Sequence, residues 1–182
     1  LGESPRGIAL GSQPSPSPER QGEIVFHDAG LCFQNWLSCA TCHPDARADG
    51  LNWDQLNDGI GTPKNNRSLL WSDRTPPLMY LGVRSDMRAA ISAGFVHIEF
   101  TRPRDEDVES VMAYFRSLQP VVTPYRNPDG SLSDSAARGK RIFENPSIGC
   151  AACHPAPLFT NLESSDVGTA VSIDQGATRF DT

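Results

Sequence analysis

The sequence predicts a mainly helical protein built from two copies of one unit, the second shorter than the first. Three observations predict it. A helix-forming stretch followed by the hexapeptide CxxCHP occurs twice, at residues 22–44 and again at 139–155. An amphipathic run at 105–118 has no counterpart after the second copy. Fifteen prolines and fifteen glycines among 182 residues leave much of the chain to loops.

Residues 1–16 (LGESPRGIALGSQPSP) read as a linker or as the tail of a preceding domain. A helix can start at Ser17, with Pro18 in its first turn and Glu19 favourable to the helix dipole. It runs through Gly22 to Phe26 or His27. Residues 44–76, rich in Asp, Asn, Gly and Pro, read mostly as loop. Ser85 is placed to cap a short helix through Met87, Ala90 and Ile91, and Gly94–Phe100 (GFVHIEF) reads as an extended run. Asp105, Glu106 and Asp107 open the amphipathic helix, whose apolar positions are Val108, Val111, Met112, Phe115 and Leu118. Pro120 ends it. The division that follows is a first domain at 17–120, a turn-rich connector at 121–130 (VVTPYRNPDG) and a truncated second domain at 131–182. There Ser133 caps a helix containing Gly139, Ile142 and Phe143.

A formal net charge of −6 argues against binding a phosphate backbone and permits docking to a basic redox protein partner. No apolar run approaches the roughly 18 residues that span a bilayer. The chain starts at Leu1 without a signal-peptide pattern and reads as a processed form or a piece of something longer.

The chemistry lies in Cys39-Ala40-Thr41-Cys42-His43 and Cys150-Ala151-Ala152-Cys153-His154. CxxCH is the attachment sequence for c-type haem. Two thiols three positions apart reach two vinyl groups on one porphyrin edge, and the adjacent imidazole then sits under the iron. The prediction is two covalently bound haems, held by Cys39, Cys42 and His43 and by Cys150, Cys153 and His154. Zinc binding by paired CxxC sites needs them about 15–20 residues apart, much closer than these are. A thioredoxin-like dithiol belongs in a βαβ setting that neither site shows. Covalent haem attachment takes place outside the cytoplasm, which makes the protein periplasmic or extracellular. Cys32, the fifth cysteine, reads as a small buried residue beside Phe33 rather than as a reactive thiol.

With both sites placed, the chain resembles the bacterial di-haem cytochrome c peroxidase family, which includes the MauG-type enzymes. The resemblance rests on Gly22–Asp28 (GEIVFHD), Ser38–Asp45 (SCATCHPD), Asp49–Asp54 (DGLNWD), Lys64–Leu70 (KNNRSLL), Gly139–Pro155 (GKRIFENPSIGCAACHP), Leu158–Thr160 and Asp166–Gly168. It implies two tandem class I-like cytochrome c domains, each wrapped around one haem. It further implies that one haem transfers electrons while the other can open a site for hydrogen peroxide. Members of this kind often carry an upstream β-propeller, which leaves room for Leu1–Pro16 as the end of one. The sequence departs from the pattern in three places. It has no His between His43 and His97, it carries Tyr80–Arg84 (YLGVR) where relatives have an FWDGR-like segment, and relatives continue past the point matching Phe180–Thr182.

Two residues are candidates for the far side of the first iron. Met79 lies in a Pro-rich loop (TPPLMY) of the kind from which simple cytochromes supply a methionine. His97 lies where family members place functional distal residues, and this ranks it ahead of Met79, with an open site third. Glu99, two positions on, shares a face with His97 if the segment is extended, and a carboxylate there suits proton transfer between peroxide oxygens. Asn65 matches a family position near a calcium site. His27, Trp36, Trp53 and Trp71 read as structural or packing residues. No credible distal ligand for the second haem occurs between Cys150 and Thr182, so it comes from missing chain or a partner subunit, or the iron is five-coordinate. Three functions stay open: a peroxidase-like enzyme, a non-catalytic electron relay, and a redox subunit of a larger complex.

Overall fold

The computed structural model describes residues 7–8, 11–12, 14–54, 63–171 and 177–181. The expectation for residues 1–16 therefore falls partly outside the described residues, as does the middle of the predicted 44–76 loop. The described chain is mainly helical, with four two-residue strands among the described residues.

Helix α1 covers Pro18–His27. Its start follows from the sequence: the Ser17 hydroxyl accepts the Arg20 N–H, Pro18 occupies the first turn, and Glu19 faces the dipole. It crosses α4, Asp105–Ser117, and the two bury Val25, Phe26, Val108, Val111 and Phe115 between them and their neighbours. The crossing is close because residue 22 is glycine. A Cβ there would overlap the main-chain carbonyl of Ser110. Beside the crossing the Phe26 and Phe115 rings meet edge to face at 5.7 Å.

Between these helices lie the one-turn helix α2, Cys39–Cys42, and α3, Met87–His97. The cap of α3 is Asp86 rather than Ser85; its carboxylate accepts the Ala89 N–H at 2.9 Å. The helix also overruns the predicted extended segment, continuing to His97 with Phe95 in the core. Met87, Ile91 and Phe95 recur every four residues, and that helical spacing outweighs the break suggested by Gly94. Arg88 of α3 pairs with Glu109 of α4. Strands β1 (Asn52–Trp53) and β2 (Lys64–Asn65) form a short antiparallel pair.

The second half repeats the helix and the turn without the core. Helix α5, Asp134–Phe143, is capped by Ser133 as predicted but buries none of its residues. Helix α6, Cys150–Cys153, carries the second motif. Strands β3 (Ser164–Ser165) and β4 (Phe180–Asp181) pair, which brings Phe180 against Tyr80 of the first half with ring centroids 5.0 Å apart.

Candidate haem site

In both halves the CxxC segment forms a single helical turn that ends at the histidine. His43 has φ −118° and ψ 64°, and His154 has φ −117° and ψ 59°. Each histidine N–H donates to the first cysteine's carbonyl at 3.0 Å. Each imidazole then uses Nδ1 as donor to a carbonyl further along, His43 to Arg47 at 3.0 Å and His154 to Phe159 at 2.8 Å. A carbonyl can only accept, so Nδ1 carries the proton and Nε2 keeps its lone pair. This is the tautomer and orientation a metal-ligating histidine needs.

The first turn opens into a cavity of about 380 Å³. Phe26, Leu37, Leu69, Met87, Ile91, Val111 and Phe115 supply apolar walls, while Lys64, Asn65, Asn66 and Arg67 line it with polar groups. Cys39, Cys42 and His43 line it too, and both cysteines are free thiols. Asn66 holds the turn from behind, donating to the Cys42 carbonyl. Burial pushes the His43 imidazole below its ordinary pKa, which favours the neutral, ligating form. The Cys42 thiol is raised by burial and by Asp49.

Glu99 is the unusual group in this wall. It is only 3% exposed, and its Oε1 accepts from the Cys39 thiol at 3.2 Å. Among the described residues its Oε2 has no hydrogen-bond partner. Burial raises the Glu99 pKa, and burial together with the Glu99 charge raises Cys39 well above the usual thiol range. Main-chain bonds fix the carboxylate in place: the Glu99 N–H donates to Gly94 at 3.0 Å, and its carbonyl accepts from the Phe33 N–H at 2.8 Å and the Cys32 thiol at 3.4 Å.

The cavity therefore gathers Cys39, Cys42, His43, Met79 and Glu99, but not His97. His97 closes α3 as an exposed residue, because the segment is helical rather than extended and the face shared with Glu99 is lost. Met79 sits at φ 76° in a tight loop closed by the Leu78–Arg84 bridge. Cys32 is buried, as a small packing residue would be. Trp36 is 62% exposed, so it is no core residue. Asn65 spends its amide on the Leu51 carbonyl at 3.4 Å. Among the described residues no group of three or more His, Cys, Asp and Glu side chains converges as a metal-ion site. Sequence reasoning missed Tyr80 and residues 158–160 as cavity lining. Nothing local signals them, since they arrive through long-range contacts.

The donor set fits a covalently held haem: two thiols and a correctly tautomerised imidazole on the wall of an apolar cavity, with an unpartnered carboxylate oxygen in it.

The chain matches no family model. It is 33% identical over 171 residues to hydrazine synthase subunit gamma of Kuenenia stuttgartiensis, covering 82% of this chain and 48% of that protein. The chain thus spans about half the length of this curated relative. Among solved structures, a chain of Kuenenia stuttgartiensis hydrazine synthase pressurised with xenon superposes with a TM-score of 0.87 at 22% identity, over 100% of this chain and 82% of that one. A MauG-like protein associated with microbial copper homeostasis gives 0.60 at 16% identity, over 87% and 56%. The fold is cytochrome c-like. Together with the two CxxCH turns, these likenesses support a di-haem c-type cytochrome with a redox role, without singling out the peroxidase and MauG-type branch. Among the described residues no helix is long and apolar enough to cross a membrane.

Proposed function

We propose that the chain is an exported di-haem c-type cytochrome acting as the redox subunit of a larger assembly, with small-molecule chemistry at the first haem and electron supply through the second. Cys39, Cys42 and His43 would hold the first haem, and Cys150, Cys153 and His154 the second. A bound haem supplies one-electron chemistry and a coordination site. The observation that carries the reading is Glu99. Once the Cys39 sulfur is a thioether it has no proton to donate, so both oxygens of a buried carboxyl are left to serve whatever occupies the cavity. Such a group holds or delivers a proton at the reacting atom.

The likeness to a hydrazine synthase subunit favours an assembly that forms a nitrogen–nitrogen bond. The second reading, peroxide reduction, is favoured by the same carboxyl. One preparation tests both. Denatured protein should gain two haem masses, and an unmodified chain mass sinks the proposal. Native protein should be recovered with partner subunits and form hydrazine with them, whereas peroxide turnover by the isolated chain would establish the second reading. In either case Glu99→Gln should lower turnover by roughly 10²–10⁴-fold while leaving the haem spectrum intact.

Of the two candidate distal ligands, Met79 is favoured over His97 because it lines the cavity in which the first haem would sit. Met79→Ala should therefore open that iron to cyanide, and His97→Ala should leave its cyanide affinity unchanged. The reverse pattern would return the role to His97.

A further inference from the structure

The two attachment turns share a wall. Leu158, Phe159 and Thr160 follow His154 in the chain, yet they line the cavity that contains Cys39, Cys42 and His43. The segment is tied to the second turn at both ends. His154 donates through Nδ1 to the Phe159 carbonyl at 2.8 Å, and the Phe159 N–H donates to Pro155 at 2.8 Å. Beyond it the Asn161 N–H donates to the Cys153 carbonyl at 2.9 Å. Phe159 itself sits at φ 58°, a left-handed conformation that residues with side chains rarely take, and its ring packs on Phe143 of α5 at 5.8 Å. One residue thus bonds the imidazole of the second turn and borders the cavity of the first.

We infer that Phe159 is the bridge by which an electron passes between the two haems. The inference rests on the di-haem reading above. The route leaves the second iron through the His154 imidazole, crosses the Nδ1–H···O hydrogen bond to the Phe159 main chain, and reaches the wall of the first cavity through Phe159 itself. One electron leaves the reduced second haem and the oxidised first haem takes it up. No bond is made or broken, and a reduced redox protein outside the chain refills the donor. Each link on this route is a covalent bond, the His154–Phe159 hydrogen bond or the cavity wall. The competing route is longer. Tyr80 lines the same cavity and packs at a tilt against Phe180, but Phe180 reaches the second half through its strand pairing with Ser165, further along the chain from His154.

The test compares Phe159→Gly with Phe180→Leu in protein loaded with both haems. Glycine accepts the left-handed backbone and keeps the carbonyl that His154 needs, so only the ring is lost. Phe159 is 54% exposed, so the change leaves the core alone. Haem mass is measured first, because a chain carrying fewer than two haems fails the di-haem reading rather than this inference. Flash reduction should then show slower electron exchange between the haems in Phe159→Gly than in the wild type. The midpoint potential of the second haem should stay at its wild-type value, and Phe180→Leu should leave the rate unchanged. An unchanged rate in Phe159→Gly overturns the inference. So does a rate lost only in Phe180→Leu, or one that falls together with a shift in the second haem's potential.

Discussion

The first half and the second half of the chain carry the same motif and fold it to different depths. At the attachment turn they agree, with the two histidines within a few degrees of each other and each held by the same two kinds of hydrogen bond. At the preceding helix they part. In α1, Gly22 touches the Ser110 main chain, and Val25 and Phe26 are 4% and 0% exposed. In α5 a Cβ on Gly139 would meet nothing within 4 Å, and Ile142 is 58% exposed. The turn is thus encoded within a few residues, whereas among the described residues the helix face is buried only where α4 covers it. Local sequence makes the haem attachment site; tertiary packing makes the cavity around it.

The sharpest break of this comparison is at the core. Phe115→Ala should destabilise the first half by about 3–5 kcal/mol, because a nearly buried ring is removed from between α1 and the cavity wall. Ile142→Ala, on the exposed face of α5, should cost about 0.5 kcal/mol or less. Urea unfolding of the two variants measures both. Equal losses would mean that α5 is buried to the same depth as α1 and that the asymmetry is false.

The two glycines give the next largest effect, with opposite signs. Gly22→Ala should cost about 1–3 kcal/mol, since the methyl group must push the helices apart at a main-chain contact. Gly139→Ala meets open space in a helix interior and should stabilise the chain by about 0.5–1 kcal/mol through helix propensity alone. If Gly139→Ala were as damaging as Gly22→Ala, something would have to cover α5 in solution.

The same division between local and long-range explains what could be read from the sequence. The limits of α1 and α4 were legible because their signals are local: Ser17-Pro18-Glu19 at one start, three acids at the other, and a regular apolar stripe. Both CxxCH turns and the cap at Ser133 were legible for the same reason. Residues 94–100 were misread because one glycine and a run of β-branched and aromatic residues imitate a strand, while the helical spacing of Met87, Ile91 and Phe95 only gains meaning once the core is known. Glu99 was singled out through a face shared with His97 that the helix removes, and its bond to Cys39, which spans 60 positions, left no local signal. The shared wall at 158–160 was invisible, as was the exposure of Trp36, because neither depends on neighbours in sequence.

The smallest effect concerns how α4, the helix that distinguishes the halves, is held at its start. Arg104 precedes the helix, and its guanidinium grips the Asp107 carboxylate with two bonds, Nε to Oδ2 at 2.9 Å and Nη2 to Oδ1 at 2.7 Å. The Arg104 N–H also donates to Oδ2 at 3.4 Å, which ties the first turn to the residue before it. These bonds, the Arg104 side chain first, hold the Asp107 carboxyl below the ordinary aspartate range. A carboxyl whose pKa is lower folded than unfolded binds fewer protons in the native state. Its contribution is fully present above the unfolded value of about 3.9 and is lost as the pH falls through the folded value. Since Arg104 is largely exposed, solvent screening keeps that contribution near 1 kcal/mol or below. Asp107→Asn should therefore cost about 0.5–1 kcal/mol at neutral pH, and its deficit relative to wild type should shrink as the pH falls below about 4, where the wild-type carboxylate also becomes neutral. A deficit that stays constant down to acid pH would show that Asp107 acts by shape alone. One that grows would show that it is the unfolded chain, not α4, that holds the charge.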